Sequence, residues 1–294
     1  MLNTETPSPQ HPNLDQYASA DLVRAFTADQ VVAANVVHAA AEALARAVDA
    51  AVPRLAAGGR LIYVGAGTSG RLGLLDSVEL FPTFAWPKDR VAALLAGGHA
   101  ALGSAAEGAE DDEAQGGADL RGLAVTPQDV VLLIAASGYT PYVLGALAAA
   151  KSAGALTIGL ANNPQAPVAT QADIGITLDT GSETISGSTR LKAGTAQKIA
   201  LNTLSSSIMV RLNKVYGNLM VDVLPTNAKL VRRAVALTRQ AAGADEATAR
   251  AALEACSYRV KVAIVMIRRK LDVAAAQAAL DAVQGSVRQA LLLH

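Results

Sequence analysis

Cysteine is almost missing: Cys256 stands alone in 294 residues. No internal disulfide can form, and a single thiol in an alanine-rich helical stretch reads as packing rather than as a nucleophile. Aromatic residues are scarce at 3%, which removes the stacking platforms that nucleic-acid binding uses. Charge of one sign is lacking too, since 25 basic residues balance 25 acidic ones. No general field attracts a polyanion, and nucleic acid is not an expected partner. No uninterrupted run approaches the ~20 apolar residues of a membrane span, so no membrane partner is expected either. The histidines His11, His38, His99 and His294 show no ligand spacing with one another or with Cys256, and neither a metal nor another cofactor is expected. The first residues, with Glu5, Pro7, Pro9 and Pro12, lack the basic start and apolar core of a signal peptide; the expected location is the cytoplasm.

What is present is a globular pattern. The chain is 51% hydrophobic and 17% charged, and it is long enough to bury a substantial core. Residues 1–59 read as a proline-containing arm followed by a helix, with Thr27-Ala28-Asp29-Gln30 in the form of a capping box and Pro53 bending or interrupting the helix. Over residues 60–226, apolar runs at 61–64, 91–95, 130–134, 156–160 and 174–177 alternate with helical segments. That alternation predicts an α/β fold with a parallel open sheet sandwiched by helices. Residues 227–294 read as helical throughout, with Asp245 and Asp272 at plausible caps, a small C-terminal helical bundle.

The most informative segment is Gly65-Ala66-Gly67-Thr68-Ser69-Gly70-Arg71, between a strand run and a helical pattern. Glycines let the backbone turn sharply and expose N–H groups, and the helix that follows presents its positive end to an anion. A dinucleotide site would place an acidic residue after the next strand. Here that run, Val91 to Leu95, ends in Ala96-Gly97-Gly98-His99. A Walker loop would need a lysine where Arg71 stands. Thr68 and Ser69 suit a single phosphate, as on a phosphorylated sugar; a tight strand-to-helix turn without a ligand is the plain alternative.

A second loop follows another buried-strand run: Ser137-Gly138-Tyr139-Thr140-Pro141, with Thr140 placed to cap a helix whose first residue is Pro141. A third, from Thr180 to Arg190, carries Ser186 and Ser188 and leads through Lys192 into a long helical stretch from about Ala193 to Tyr216. Three such loops converge where an open α/β sheet binds ligands, beyond the carboxyl ends of its strands.

These residues carry a resemblance. The pair GxGTSGR and SGxTP resembles the sugar isomerase (SIS) fold, a parallel-sheet domain that binds phosphosugars. The longer strings Gly65–Thr83, Glu107–Asp111, Gly187–Lys198 and Gly217–Asp222 are similar to the N-acetylmuramic acid 6-phosphate etherases, over nearly the whole chain. The resemblance implies a phosphosugar bound by Gly67, Thr68, Ser69, Gly70, Ser137, Gly138, Thr140, Ser186, Ser188 and Lys192. For Lys192 the plain alternative is an exposed lysine at a helix start. It also implies a homodimer, and a compact three-helix tail. In the arm, Thr4-Glu5 fits the family, but prolines and a serine stand where the family usually has an asparagine, which weakens any substrate contact from that segment.

The resemblance further assigns Glu79 as catalytic acid and Glu110 as the second catalytic carboxylate; Glu110 is then expected to be the base, with the exchange of the two roles as the alternative. From the residues alone, Glu110 belongs to the run Glu107-Gly108-Ala109-Glu110-Asp111-Asp112-Glu113, which has the composition of a solvated helix face. Asp76 is expected on the same helix face as Glu79, one turn earlier. The family's reaction cleaves the D-lactyl ether at C3 of the sugar phosphate. An unactivated ether is a poor substrate for elimination, but in the open-chain aldehyde the C2 proton is acidified and the lactyl oxygen stands β to the carbanion. Elimination and then hydration yield N-acetylglucosamine 6-phosphate and D-lactate, as a carbon–oxygen lyase in cell-wall amino sugar recycling. Two carboxyls of unlike protonation state would serve this chemistry. A phosphosugar isomerase or a non-catalytic sugar-phosphate sensor would share the cradle without releasing lactate.

Overall fold

The five apolar runs pair as one parallel sheet. In the computed structural model, which describes residues 2–103, 108–223, 225 and 227–293, the strands are β1 (Leu61–Gly65), β2 (Val91–Leu95), β3 (Val130–Ala135), β4 (Leu156–Ala161) and β5 (Ile174–Thr177). Their order is β2-β1-β3-β4-β5, so Leu61 is in register with Val91 on one side and Val130 on the other. The chain steps outward from β1 to β2 and then returns to place β3 beside β1. The crevice at that reversal is where this class of sheet takes ligands.

Alternate side chains face opposite layers. Ile62, Val64, Val131 and Leu133 join a core with Tyr142, Val143, Ala146 and Leu147, on α5 (Pro141–Ser152), which also packs on α4 (Glu113–Gly122). On the other face, Gly73 of α3 (Gly67–Phe84) lies over Tyr63 and Ile134. Below the sheet's amino ends, Arg60 grips Asp129 with a 2.7 Å ion pair. Burial pushes the Asp129 carboxyl up, but the Arg60 side chain and the backbone N–H groups of Thr126 and Arg60 outweigh it and hold the carboxyl below its ordinary value.

Two expectations for the N-terminal helix are corrected. There are two helices, α1 (Ser19–Ala39) and α2 (Ala41–Ala56), bent by 55° at Ala40, and Pro53 lies inside α2. Thr27 is mid-helix, with its hydroxyl donating to the carbonyls of Val23 and Arg24, so it caps nothing. α2 packs on β3, β4 and β5. Two further helices complete this part, α6 (Pro167–Thr170) and α7 (Lys192–Arg211), which ends before the expected Tyr216. Among the described residues no single helix is long and apolar enough to cross a membrane.

The chain divides into two compact units, Met1–Ser77 with Lys88–Ser205, and Val78–Pro87 with Ser206–His294. The second contains a hairpin absent from the sequence reading: β6 (Val215–Tyr216) pairs antiparallel with β7 (Leu219–Met220) across Gly217, whose φ is +61°. Two-residue turns of this kind favour positive φ. Among the described residues from Asn227 onward there are five helices rather than the three implied by resemblance: α8 (Ala228–Ala242), α9 (Glu246–Ala255), α10 (Val260–Arg269), α11 (Val273–Asp281) and α12 (Val287–Ala290). Asp245 and Asp272 do cap α9 and α11, accepting from the amides of Thr248 and Ala275. Cys256, which follows α9, is buried in this unit's apolar core.

Candidate active site

The loop after β1 is built by two glycines standing back to back. A Cβ on Gly70 would sit 2.6 Å from the Gly65 carbonyl oxygen, and one on Gly65 would sit 2.7 Å from the Gly70 Cα. Only hydrogen fits at either position, so α3 starts against the strand it has just left. The first amides of a helix have no intrahelical carbonyl to meet. Those of Gly67, Thr68 and Ser69 therefore stand at the positive end of α3, with Thr68 half-buried and Ser69 buried beside them.

The loop after β3 reaches the same crevice. Gly138 has φ +75°, and a Cβ there would sit 2.2 Å from the Ala166 Cβ. The Ser137 Oγ accepts from the Tyr139 amide at 3.1 Å. Thr140 occupies the cap position of α5, but its hydroxyl makes no capping bond, contrary to the expectation, and lies 3.5 Å from the Ser137 Oγ. Pro141 is the first residue of the helix, as predicted. Both hydroxyls thus stand beside a second helix start, where an anion is favoured.

A cavity of about 380 Å³ joins these loops. Its lining includes Gly67, Thr68, Ser69, Ser137 and Thr140, Glu110 and Asp111, Glu5 from the arm and Thr189 from the third loop. Glu110 and Asp111 sit on a short 3-10 turn, Ala109–Asp111. The acidic run does not form one helix face, because Asp112 ends the turn and caps α4 by accepting from the Gln115 amide. Glu107 of that run lies outside the described residues. The lining therefore combines two sets of groups, hydroxyls beside helix N-termini and carboxylates. The first suits an anion, the second the hydroxyls of a neutral polyol.

The third loop behaves differently. Its helix start is occupied by the chain itself, since the buried Glu183 carboxylate accepts from the amides of Lys192 and Ala193 at 2.9 Å each. Burial pushes the Glu183 carboxyl up, and those two amides and the Lys192 charge only partly pull it back. Lys192 is not brought into the cavity's lining. It is buried, with its ammonium 3.1 Å from Asp29 on α1 and donating to the Ser182 carbonyl at 2.8 Å. Asp29 also accepts from the Thr184 hydroxyl. Ser186 donates to the Glu5 carbonyl at 3.0 Å, and Ser188 is half-buried outside the lining.

The remaining sequence-predicted residues divide. Gly70 and Gly138 shape the loops without lining the cavity. Glu79 is exposed on α3 and is not among the lining residues. Asp76, expected on the same face, is buried instead and accepts from the Tyr63 hydroxyl at 2.7 Å and from Asn202. Burial and then the Asp76 charge push the Tyr63 hydroxyl well above its ordinary pKa. Sequence reading missed Glu5, Asp111, Tyr139 and Thr189 as lining residues. For Glu5 the signal was the Thr4-Glu5 pair, but no local spacing ties it to residues more than 150 positions away.

A parallel sheet that gathers two Ser/Thr-bearing helix starts at its reversal defines the chain as an SIS-class protein, and the SIS domain family matches residues 112–207. The glucokinase regulatory protein N-terminal SIS domain matches residues 43–151. N-acetylmuramic acid 6-phosphate etherases from Deinococcus radiodurans and Pectobacterium atrosepticum are 56% and 47% identical, covering 98% and 99% of this chain and 94% and 96% of theirs. One from an Enterobacter species is 49% identical, over 99% of this chain and 98% of its own. The chain belongs to the N-acetylmuramic acid 6-phosphate etherase family. Among solved structures, a phosphoheptose isomerase from Francisella tularensis is similar, with a TM-score of 0.49 at 18% identity over 66% of this chain and all of that one.

Proposed function

We propose that the chain cleaves the D-lactyl ether of N-acetylmuramic acid 6-phosphate to N-acetylglucosamine 6-phosphate and D-lactate. The observation that carries the reading is likeness to etherases over almost the full length of both chains. The cavity supports it. The phosphate rests at the α3 and α5 starts, bonded by Thr68, Ser69, Ser137 and Thr140, and the sugar extends toward Glu110. With the sugar open as its aldehyde, Glu110 removes the C2 proton. The electron pair forms the C2–C3 double bond, the C3–O bond breaks, and the departing lactyl oxygen takes a proton from the acid. Water then adds across the double bond, hydroxyl to C3 and hydrogen to C2.

Glu79 keeps the acid role that the resemblance implies. It is exposed on α3 alongside Leu75 and Val78, which are exposed by 49% and 56%, and so is available to a second copy of the chain. Pairing as a homodimer would also cover Val23 and Val31 of α1, each more than 60% exposed. The cytoplasm, where cell-wall amino sugars are recycled, is the proposed setting.

The test is D-lactate release from N-acetylmuramic acid 6-phosphate by wild type, Glu110→Gln and Glu79→Gln. Each substitution keeps size and removes proton transfer, so each is expected to lower turnover about 100-fold or more with the fold retained. Wild-type turnover by both variants would end the assignment of the pair. Sugar-phosphate binding by the wild type with no lactate released would favour an isomerase or a sensor.

A further inference from the structure

We propose that Glu5 is a substrate-binding residue of this site, its carboxylate accepting a hydrogen bond from a sugar hydroxyl and orienting the sugar against Glu110; the inference rests on the etherase reading above. The arm that carries Glu5 is fastened down. Thr4 is fully buried. Its amide donates to the Asn163 Oδ1 at 3.3 Å, its hydroxyl accepts from the Asn163 Nδ2 at 3.1 Å, and its carbonyl accepts from the Gly187 amide at 3.1 Å. The Glu5 carbonyl accepts from Ser186, and the Asn3 side chain donates to Asp179 at 3.0 Å. The same Asn163 Nδ2 donates to the Ala136 carbonyl at 2.9 Å, so one amide side chain joins the arm to the second phosphate loop. Through Glu5 the arm contributes to the lining of the cavity.

None of these bonds uses the Glu5 carboxylate. Among the described residues it has no hydrogen-bond or ion-pair partner, yet it lines the cavity with Glu110 and Asp111. It lies against the third loop, where a Cβ on Gly187 would stand 2.9 Å from its Oε2. The three acids are not placed as a metal site, since among the described residues no group of three or more His, Cys, Asp or Glu side chains could hold an ion. A carboxylate repels the phosphate, which belongs at the helix starts, and accepts readily from a hydroxyl. Glu5 is therefore matched to the sugar end of the ligand.

The experiment measures lactate release, competitive inhibition by inorganic phosphate, and thermal stability for wild type, Glu5→Ala and Glu5→Gln. Loss of one hydrogen bond to a charged acceptor predicts that Glu5→Ala lowers kcat/KM by about 10-fold to 100-fold. Glu5→Gln recovers part of that loss, because its amide oxygen still accepts. In both variants the inhibition constant of phosphate does not rise and the Tm stays at the wild-type value, since the arm's anchors and the phosphate loops are untouched and only a charge that repels phosphate is removed. Wild-type kcat/KM in Glu5→Ala would overturn the proposal. So would a phosphate inhibition constant that rises in parallel with the loss, which would mark a structural role. Should the wild type release no lactate, the etherase reading fails by itself. Glu5 is then judged by the affinity for glucose 6-phosphate relative to inorganic phosphate, which Glu5→Ala must lower.

Discussion

After β1 and β3 the chain turns through glycine into a helix and leaves hydroxyls beside the helix start; before α7 it does the same through Thr180–Arg190 and then closes the start with Glu183. The three segments share a composition and a position between strand and helix. In the first two, no carboxylate caps the helix among the described residues, and their Ser and Thr side chains line the cavity. In the third, the anion that a helix N-terminus attracts is supplied from within, by Glu183 on the amides of Lys192 and Ala193. The nearby cation, Lys192, is likewise consumed by Asp29. Hydroxyl-rich composition before a helix therefore marks a candidate anion site, and the fold decides whether a ligand or a side chain fills it.

The difference can be tested in order of expected size. Gly70→Ala should have the largest effect. Its Cβ would sit 2.5 Å from the Leu95 Cδ1 and 2.6 Å from the Gly65 carbonyl oxygen, and backbone cannot yield as a side-chain tip can. Thermal unfolding and lactate assays should show stability lowered by about 1–3 kcal/mol or more, together with near-complete loss of turnover. Next, Ser69→Ala should weaken inhibition by inorganic phosphate about 10-fold or more, the worth of a hydrogen bond to a charged group, with little change in Tm. An unchanged inhibition constant would remove the first loop from the phosphate site.

Glu183→Gln should do the reverse. The Lys192 and Ala193 amides each bond a different Glu183 oxygen, and glutamine puts an NH2 donor in place of one of them, so unfolding should show a loss of about 1–3 kcal/mol while phosphate inhibition stays as in wild type. The pH dependence has a definite sign. A carboxyl whose folded pKa lies above its unfolded value holds more protons when folded, so wild-type stability falls as pH rises from the ordinary glutamate value through the raised one. That slope should vanish in Glu183→Gln. A variant that instead bound phosphate more tightly would make the third loop a ligand site after all. The smallest effect belongs to Gly181→Ala: the site is sterically open, and only its φ of +66° resists a side chain, at about 1 kcal/mol by thermal unfolding.

Much of the fold was legible because buried parallel strands announce themselves as continuous apolar runs bounded by glycine and proline. All five strands lie within a residue of the expected bounds. The helical parts were less legible. The break at Ala40 has no glycine or proline to mark it, and Pro53 drew attention to the wrong place. Thr27-Ala28-Asp29-Gln30 satisfies a capping pattern, but Asp29 is spent on Lys192 and Thr184, partners more than 150 residues away. The first two loops that line the cavity were readable from local chemistry. The role of Glu183 and the seat of Glu5 were not, because both are set by side chains meeting across the tertiary fold through Lys192, Asn163 and Gly187.

The most direct test of the account is incubation of the protein with N-acetylmuramic acid 6-phosphate in ¹⁸O-labelled water, with the masses of both products followed. Elimination and hydration at this site predict unlabelled D-lactate and one ¹⁸O at C3 of N-acetylglucosamine 6-phosphate. Label in the lactate, or binding of the sugar phosphate with no lactate released, would contradict it.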